Sequence, residues 1–437
     1  MTRGGALWLP YSDLYRARET LSMPNRAYEQ ALKMREKGRR MPLPPEMIDP
    51  VYEGADAIAV PRRCPIEGVG AEDRRVRPIA ERHAQAVEPR AYQAQALRAW
   101  ADAGGEGVVE APCGAGKTVI GMSAIVRCPT PALVLVHTGD LVAQWAGVAE
   151  QWGVPAEVCA EGSGLKVGRL VIATIQGVSR LPFADVQEWG KGFGLVVTDE
   201  CHHVPADTWS RTLYALPGRW RLGLTATPDR EDGLTPLLHW HNGPTVATID
   251  HADLVEAGVI IAPRVIRIDT GWEPEAEDWG EMLTEATQND QRNDLLLSTV
   301  HKLVANGRHV MIQTERTAHA ESLATLLCEA GILAGALHGK VPEKRRAERL
   351  AAAARGDLRV ITATQLGDEG LDLPILDALV LGVPQRNPGR LEQRIGRVSR
   401  ARPGKKDALV IDLVDDGSLS RLWWARRKVY QRLGCEL

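Results

Sequence analysis

A glycine-rich turn stands where an apolar run ends and a helical pattern begins. Its residues are Ala-Pro-Cys-Gly-Ala-Gly-Lys-Thr, at Ala111–Thr118. Such a turn can aim several backbone N–H groups at one anion, and the positive end of the following helix adds to the attraction. Lys117 would then reach the β- and γ-phosphates of a nucleotide, and the Thr118 hydroxyl would hold Mg²⁺. The alternative is a tight strand-to-helix turn with no ligand, because Ala111 stands where the strict pattern has a glycine.

Short apolar runs alternate with helical patterns along most of the chain, and this alternation predicts parallel sheets with crossover helices. One series of predicted strands lies at residues 107–110, 132–137, 169–175, 195–200 and 221–227, and a second at 264–268, 309–314, 359–364, 378–383 and 408–413. We therefore expect an α/β fold with two similar lobes in tandem, each a parallel sheet with flanking helices. The acidic stretch Trp272–Glu285 is expected to be the crossing between the lobes.

The chain is long for a single core, and we expect three domains. Residues 1–87 form a small N-terminal α+β module, because helical composition at Asn25–Gly38 is followed by a proline-rich stretch typical of turns and short strands. Residues 88–262 are the first lobe, and residues 263–437 the second.

Composition narrows the compartment and the ligands. The seven cysteines are scattered, with no Cys-x-x-Cys pair and no zinc spacing, which favours a reducing compartment and no structural metal. No apolar stretch is long enough to span a bilayer, and Met1–Pro10 lacks a signal segment, so we expect a cytoplasmic protein without a membrane partner. His239 and His241 are expected on a half-exposed strand rather than in a metal site. The net charge of −3 still allows a local basic track for nucleic acid.

Two carboxylates follow the apolar run Leu195–Thr198, in the sequence Asp199-Glu200-Cys201-His202. An open α/β sheet binds its ligand at the ends of its strands. Asp199 suits the surroundings of Mg²⁺, and Glu200 suits the polarisation of a water that attacks a γ-phosphate. Alone, such a pair is usually the polar start of a loop.

Arg90 and Gln93 precede the glycine-rich turn. The Gln93 amide can pair with a donor and an acceptor on adenine, whereas the structural alternative is an ordinary helix N-terminus.

In the second lobe, Arg394, Arg397 and Arg400 recur at i, i+3 and i+6, which keeps them near one face of a helix. That face is either a solvated basic stripe or a set of arginines that reach a phosphate, for which planar guanidinium groups are suited.

In this order the motifs resemble those of a superfamily-two DNA helicase of the DEAD/DEAH type, with two RecA-like lobes. The segments that carry the resemblance are Ala111–Thr118 (motif I), Asp199–His202 (motif II), Leu224–Pro228 (motif III), Thr362–Pro374 (motif V) and Gln393–Arg400 (motif VI). More narrowly, Leu135–Trp145 and Leu222–Gly233 are similar to the XPB and phage UvsW-like branch, with Arg230–Asp232 at the place of its Arg-Glu-Asp motif. The region between the lobes is too short for the thumb-like insertion of XPB itself.

The resemblance implies a role for each matching residue. Nucleotide binding falls to Arg90, Gln93, Gly114, Ala115, Gly116, Lys117, Thr118, Asp199, Gly370 and Asp372, with Thr118 and Asp199 also at Mg²⁺. The catalytic residues are Glu200, Gln393, Arg397 and Arg400, and the coupling residues are His202, Thr225 and Thr227. Nucleic-acid contacts fall to Thr138, Thr174, Gln176, Arg230, His338, Gly339 and Thr364. For His338 a capping role, and for Thr174 and Gln176 ordinary strand-end positions, stay open.

The implied activity is that of an ATP-dependent DNA helicase or translocase, which hydrolyses ATP with Mg²⁺ between its lobes. Its partner would be single-stranded, duplex or branched DNA, gripped by the backbone and so largely independent of sequence. The expected setting is replication, repair or recombination in a bacterium or a phage-infected cell. The alternatives are an RNA helicase, the motor subunit of a restriction or defence complex with a protein partner, and a nucleotide-switched scaffold. The N-terminal module either contacts DNA or serves as a packing domain.

Overall fold

The computed structural model describes residues 2–3, 6–36, 41–53, 57–66, 72–73, 87–159, 164–202, 206–226, 233–364 and 373–437. The chain groups into two compact units. The first comprises Met1–Ala111 and Gly116–Ile249, and the second Pro112–Ala115 and Asp250–Leu437. The domain boundaries expected at residues 87/88 and 262/263 stay predictions.

The N-terminal part of the first unit combines short strands with two helices. Its elements are β1 (Thr2–Arg3), β2 (Ala6–Leu9), α1 (Leu14–Leu21), β3 (Met23–Pro24), α2 (Arg26–Glu36), β4 (Met47–Ile48), β5 (Tyr52–Glu53), β6 (Ile58–Pro61) and β7 (Glu72–Asp73). The strands form a mixed sheet in the order β5-β6-β2-β1-β7 and a separate antiparallel pair, β3 with β4. Leu9, Leu21 and Ile58 are buried between this sheet and the helices.

The rest of the first unit is a parallel sheet with crossover helices. Its elements are α3 (Ala91–Asp102), β8 (Glu106–Glu110), α4 (Lys117–Arg127), β9 (Ala132–Val136), α5 (Gly139–Gln151), β10 (Ala156–Cys159), β11 (Leu170–Thr174), α6 (Ile175–Ser179), α7 (Phe183–Gly190), β12 (Leu195–Asp199), α8 (Ala206–Ala215), β13 (Trp220–Thr225), α9 (Thr235–Asn242) and β14 (Thr245–Thr248). The strand order is β10-β11-β9-β12-β13-β8-β14. The central strand β12 is buried along its whole length.

A buried carboxylate joins the N-terminal part to the parallel sheet. Glu106, at the start of β8, lies 3.2 Å from a guanidinium nitrogen of Arg62, 2.6 Å from Arg63 and 3.3 Å from Arg219. Arg62 also donates to the carbonyl of Gly218 at 2.9 Å. Nearby, the Tyr214 hydroxyl donates to the Pro50 carbonyl at 2.6 Å. These contacts support the packing alternative for the N-terminal module.

The second unit repeats the parallel architecture. Its elements are α10 (His251–Glu256), β15 (Arg264–Asp269), α11 (Trp279–Gln288), α12 (Asp290–Ala305), β16 (Val310–Gln313), α13 (Thr317–Glu329), β17 (Ala334–Leu337), α14 (Glu343–Arg355), β18 (Val360–Ala363), β19 (Ala378–Leu381), α15 (Pro388–Val398), β20 (Leu409–Val414) and α16 (Arg421–Arg432). The strand order is β15-β20-β19-β16-β18-β17, and each neighbouring pair is parallel. Helices α15 and α16 cover one face of the sheet, and α12 and α13 cover the other.

The predicted fold class, two parallel α/β sheets with flanking helices and a small N-terminal α+β part, is confirmed. Two finer expectations are wrong. The acidic stretch Trp272–Glu285 follows β15 inside the second unit, and its latter half begins helix α11, because Asp278 caps that helix by accepting from the Gly280 N–H at 2.9 Å. His239 and His241 lie on helix α9, where Pro236 near its start favours a helix over a strand.

Neither a membrane span nor a disulfide is found in the described residues. No helix there is both long and apolar enough to cross a bilayer. All seven cysteines lie in the described part, and none is joined to another.

The second unit holds a fully buried ion pair. Arg292 on α12 donates from Nε to Asp415 at 2.8 Å and from Nη1 to the Gly382 carbonyl at 2.6 Å. The two side chains are 0% and 1% exposed. A buried pair of this kind leaves an uncompensated charge when one partner is removed.

Replacing Arg292 therefore tests how much this ion pair contributes to the stability of the second unit. We expect Arg292→Leu to lower the free energy of unfolding by about 3–5 kcal/mol. The matched control is Arg355→Leu, which breaks an exposed pair with Asp357 and should change it by less than about 1 kcal/mol. Urea unfolding followed by circular dichroism gives both values, and equal losses in the two variants would contradict the expectation.

His241 makes the stability of the first unit depend on pH. Burial, together with the charges of Arg221 and Arg62, lowers the pKa of this imidazole to about 3. Below about pH 6.5 the unfolded chain therefore takes up a proton that the folded chain refuses until about pH 3, so stability falls as the pH falls. We expect His241→Gln to remove a slope of about 1.4 kcal/mol per pH unit within that window. Urea midpoints near pH 5 and pH 7.5 measure it, and an unchanged slope would refute this assignment.

Candidate active site

The glycine-rich turn has a backbone that glycine adopts readily. Gly114 and Gly116 have φ values of 90° and 76°, in the left-handed region. Within the turn, the Ala115 N–H donates to the Pro112 carbonyl at 3.1 Å. Helix α4 begins directly after Gly116, so its first N–H groups lie at the turn, as an anion site requires.

The two carboxylates lie at the carboxyl end of β12. Asp199 is buried, and its two oxygens accept from the Trp145 indole N–H at 2.8 Å and from the Glu200 N–H at 3.0 Å. Burial raises the pKa of Asp199 to about 6, and the charge of Glu200 adds to the rise, while Lys117 and the Trp145 hydrogen bond oppose it. A cation beside Asp199 would favour its charged form.

Lys117 connects the turn to the second carboxylate. Its Nζ lies 3.1 Å from Oε1 of Glu200 and donates to the Ala111 carbonyl at 3.3 Å. Glu200 itself has a φ of 45°, and it is the one residue other than glycine with a positive φ in the described part of the chain. Strain of this kind persists where the surrounding structure imposes it, often at functional sites.

The residues present fit a nucleotide with Mg²⁺. Hard cations take oxygen ligands, and the Asp199 carboxylate and Thr118 hydroxyl supply them near the start of α4. The Gln144 amide donates to that hydroxyl at 3.3 Å and helps fix it. Glycine at position 116 leaves room for the Gln93 side chain, because a Cβ there would lie 2.6 Å from Nε2 of Gln93.

Gln93 performs the structural role that the sequence left open, and it also lies beside the turn. Its Oε1 accepts from the Arg90 N–H at 3.0 Å, and the two residues form the capping box of α3. The amide nitrogen of Gln93 faces Gly116, as the closeness of that glycine shows. The structure thus brings Gln93 to the turn, and an adenine contact stays a prediction.

The two coupling residues that the structure describes, His202 and Thr225, lie within one hydrogen bond of the site. Nδ1 of His202 lies 2.7 Å from the Thr225 hydroxyl and 3.5 Å from Oε2 of Glu200. The Ala111 N–H donates to the Thr225 carbonyl at 2.8 Å. The end of β13 is therefore connected both to motif II and to the start of the turn.

The arginines of the second unit do not share one helical face. Helix α15 ends at Val398, and Arg400 lies beyond it in an isolated antiparallel bridge with Ile260. Arg394 is buried and bonded to the Gln385 side chain, so it is a structural residue. Gln393, Arg397 and Arg400 are half-buried.

Lys405 fixes the end of α15 and was not singled out from the sequence. Its Nζ donates to the carbonyls of Val398 at 2.6 Å, Arg400 at 2.8 Å and Leu376 at 2.7 Å. A cation that binds the last carbonyls of a helix stabilises that end. Lys405 is therefore a positioning residue for Arg400.

Six of the residues predicted to touch nucleic acid are described, and they lie at or just after strand ends in different surroundings. Thr138 and Thr174 cap helices α5 and α6 by accepting N–H bonds at 3.3 and 3.2 Å. Gln176 and Gly339 are exposed, and Thr364 is buried. The His338 ring is buried and lies 2.7 Å from Glu321, and it accepts from the Lys340 N–H at 3.3 Å. Helix α14 begins beyond it at Glu343, so both roles left open for His338 stay predictions. Four predicted site residues lie outside the described ranges: Thr227, Arg230, Gly370 and Asp372.

Comparisons with known proteins agree with this geometry. The family model "Type III restriction enzyme, res subunit" matches residues 86–230, and "Helicase conserved C-terminal domain" matches residues 291–402. The chain is 28% identical over 360 residues to a protein named as a helicase in Sulfolobus islandicus filamentous virus, with 75% of this chain and 64% of that protein covered. It is 25% identical over 390 residues to "DNA 3'-5' translocase XPB2" of Sulfurisphaera tokodaii, with 78% and 85% covered.

The fold also has solved neighbours. The structure of S. cerevisiae Dbp5 bound to RNA and ADP BeF3 matches with a TM-score of 0.61 at 16% identity, covering 79% of this chain and 88% of that one. Two tandem RecA-like units, a glycine-rich turn, an Asp-Glu pair and the two family matches together support a superfamily-two helicase of the XPB-like type.

The Trp145–Asp199 hydrogen bond predicts a measurable effect on metal use. Without the indole N–H, Asp199 loses a donor that fixes its orientation. We expect Trp145→Phe to raise the Mg²⁺ concentration for half-maximal ATP hydrolysis by about 10- to 100-fold. The control is Trp100→Phe, which removes another buried indole donor, bonded to the Arg221 carbonyl at 2.8 Å, and should leave the Mg²⁺ requirement unchanged. A wild-type requirement in Trp145→Phe would show that this bond does not orient the predicted metal ligand.

Proposed function

We propose that the protein is an ATP-dependent DNA translocase or helicase that remodels duplex or branched DNA in replication, repair or recombination. The observation that carries the proposal is the ion pair of Lys117 with Glu200 beside the buried Asp199, at the end of β12 and next to the glycine-rich turn. The two family matches and a relative named as a DNA translocase support the choice of DNA.

The glycine-rich turn and the strand ends beside it hold the nucleotide in this proposal. The N–H groups at the start of α4 and the Lys117 ammonium hold the β- and γ-phosphates, with Gly114, Ala115 and Gly116 shaping the turn. Thr118 and Asp199 hold Mg²⁺, which when bound neutralises charge that develops on the phosphates. Glu200 accepts a proton from the attacking water, a role suited to a carboxylate held beside the site. Arg90 and Gln93 face the base.

Residues of the second unit complete the reaction. Arg397 and Arg400 stabilise the charge of the phosphoryl transition state, and Gln393 approaches the γ-phosphate. Lys405 holds the backbone from which Arg400 extends. Gly370 and Asp372 respond to the nucleotide, as their match to motif V implies.

Movement follows from coupling the site to the nucleic-acid contacts. The bond between His202 and Thr225 transmits the state of Glu200 to the end of β13, and Thr227 continues the path. Thr138, Thr174, Gln176 and Arg230 of the first unit, and His338, Gly339 and Thr364 of the second, contact the backbone of one strand. Binding is therefore sensitive to salt and largely independent of sequence. We propose 3′-to-5′ movement, because the archaeal relative is named for that direction.

A second candidate is the motor subunit of a restriction or defence complex, favoured by the description of the family model over residues 86–230. Copurification of this chain with a nuclease or methylase subunit from its own host would support that candidate. An RNA helicase is the third, and the experiment below separates it from the first.

The ATPase activity with different nucleic acids tests the proposal. We expect single-stranded, forked or four-way DNA to stimulate the wild type, and Glu200→Gln to lower kcat by about 10²- to 10⁴-fold while nucleotide binding persists, because only the proton acceptor is lost. The control is Glu188→Gln, an exposed carboxylate on α7 that should have no effect. Stimulation by RNA alone would overturn the choice of DNA. A well-folded protein that no nucleic acid stimulates would overturn the stand-alone motor.

A further inference from the structure

The last helix, α16, has two very different faces. Trp423, Val429 and Tyr430 are buried against the sheet. Arg426 is also buried, and it donates to Asp412 on β20 through two nitrogens, at 2.8 and 2.9 Å. The helix is thus fixed to the second unit by its inner face, and its outer face is not needed for that packing.

The outer face carries an exposed indole among cations. Trp424 is 59% exposed, and it is the one exposed residue among the tryptophans whose side chains the structure describes. The guanidinium of Arg427 lies 5.5 Å from the centroid of its ring. Arg421 and Lys428 lie on the same side, at i−3 and i+4 from Trp424. We define the Trp424 face as Arg421, Trp424, Arg427 and Lys428.

The charge of this face is not neutralised by neighbouring acids. Helix α16 has five basic residues and no acidic one over its 12 residues, in a chain of net charge −3. Arg426 and Arg432 are paired with Asp412 and Glu392. Arg421, Arg427 and Lys428 form no ion pair within the described ranges. Three cations and an aromatic ring therefore meet water together.

The Trp424 face lies apart from the strand ends predicted to hold nucleic acid. Helix α16 is bound to β20, and the ring of Trp423 lies 5.1 Å from the guanidinium of Arg267 on β15, at one edge of the sheet. His338 and Thr364 follow β17 and β18, at the opposite edge. With neighbouring strands about 4.8 Å apart, the two places are separated by about 20 Å.

We propose that the Trp424 face is a second binding site for nucleic acid, on which one base of a single strand stacks against the indole while Arg421, Arg427 and Lys428 contact its phosphates. The inference rests on the proposed action on DNA and adds a contact outside the predicted track. An exposed aromatic ring beside cations is what non-specific single-strand binding uses, because every base has a stacking face and every linkage a phosphate. A duplex offers its phosphates but not its base faces, so the site prefers single strands.

Binding of labelled oligo(dT) of about 20 nucleotides to the full chain without ATP tests the inference, because stacking and charge act on different observables. We expect Trp424→Ala to weaken binding about tenfold with an unchanged salt dependence, and Trp424→Phe to restore most of it. We expect the double variant Arg421→Gln/Lys428→Gln to reduce the slope of log K against log salt by about 1.4. Tyr15→Ala, which removes an exposed ring from α1, is the control and should bind like the wild type.

Other outcomes separate failure of the inference from failure of the proposed function. Wild-type binding and DNA-stimulated ATPase in Trp424→Ala would overturn the site and leave the motor intact. A wild type that binds no nucleic acid would overturn the proposed function and the site with it. Unchanged DNA binding together with lost self-association in sedimentation would assign the face to a contact between copies of the chain, and overturn the inference. Tenfold weakening for oligo(rU) alone would support the stacking site and overturn the choice of DNA.

Discussion

Parallel strand pairing is the constraint on which the rest of the molecule depends. A parallel strand cannot be joined to its neighbour by a tight turn, so each connection crosses the sheet as a helix and both faces become covered. All carboxyl ends then meet at one edge. In the first unit the register aligns Thr174 with Val136 and Asp199 with Leu224, and the polar groups of the active site follow at that edge. Because β12 is buried at the centre of the sheet, its packing brings Asp199 to this edge, where the Trp145 indole then orients the carboxylate.

Most strands that the sequence predicted have buried apolar runs, and two of the missed strands have a physical reason in common. These two, β10 and β14, are the edges of the first sheet. Edge strands are covered less completely, so Glu157 and Thr248 stand exposed within them and no continuous apolar run marks them. The prediction of a strand at His239 and His241 was wrong for another reason. The segment around Trp240 has no clear hydrophobic period, and Pro236 near the start of the helix favours the helical conformation.

Local chemistry made half of the active site predictable. The turn, Lys117 and the Asp199–Glu200 pair are each contiguous in sequence, and their residue types announce phosphate and metal chemistry. The groups that orient them were not predictable in that way. Trp145 contacts Asp199 from 54 residues away in the sequence, and its place in the sequence does not show that its indole N–H donates to that carboxylate. The role of Lys405 could not be predicted either, because only the folded backbone brings three carbonyls to its ammonium group.

The left-handed backbone at Glu200 lowers the stability of the fold at the residue to which the proposed activity assigns a catalytic role. A side chain held at positive φ costs about 1–3 kcal/mol, and glycine alone is spared most of that penalty. The most stable sequence for this fold would therefore have glycine where the proposed reaction needs a carboxylate. Selection for thermal stability alone would favour glycine at position 200. The protein would still fold, but it would lack the carboxylate that the proposed reaction uses. Glutamate at position 200 is therefore what selection for the proposed activity, rather than for stability, would retain.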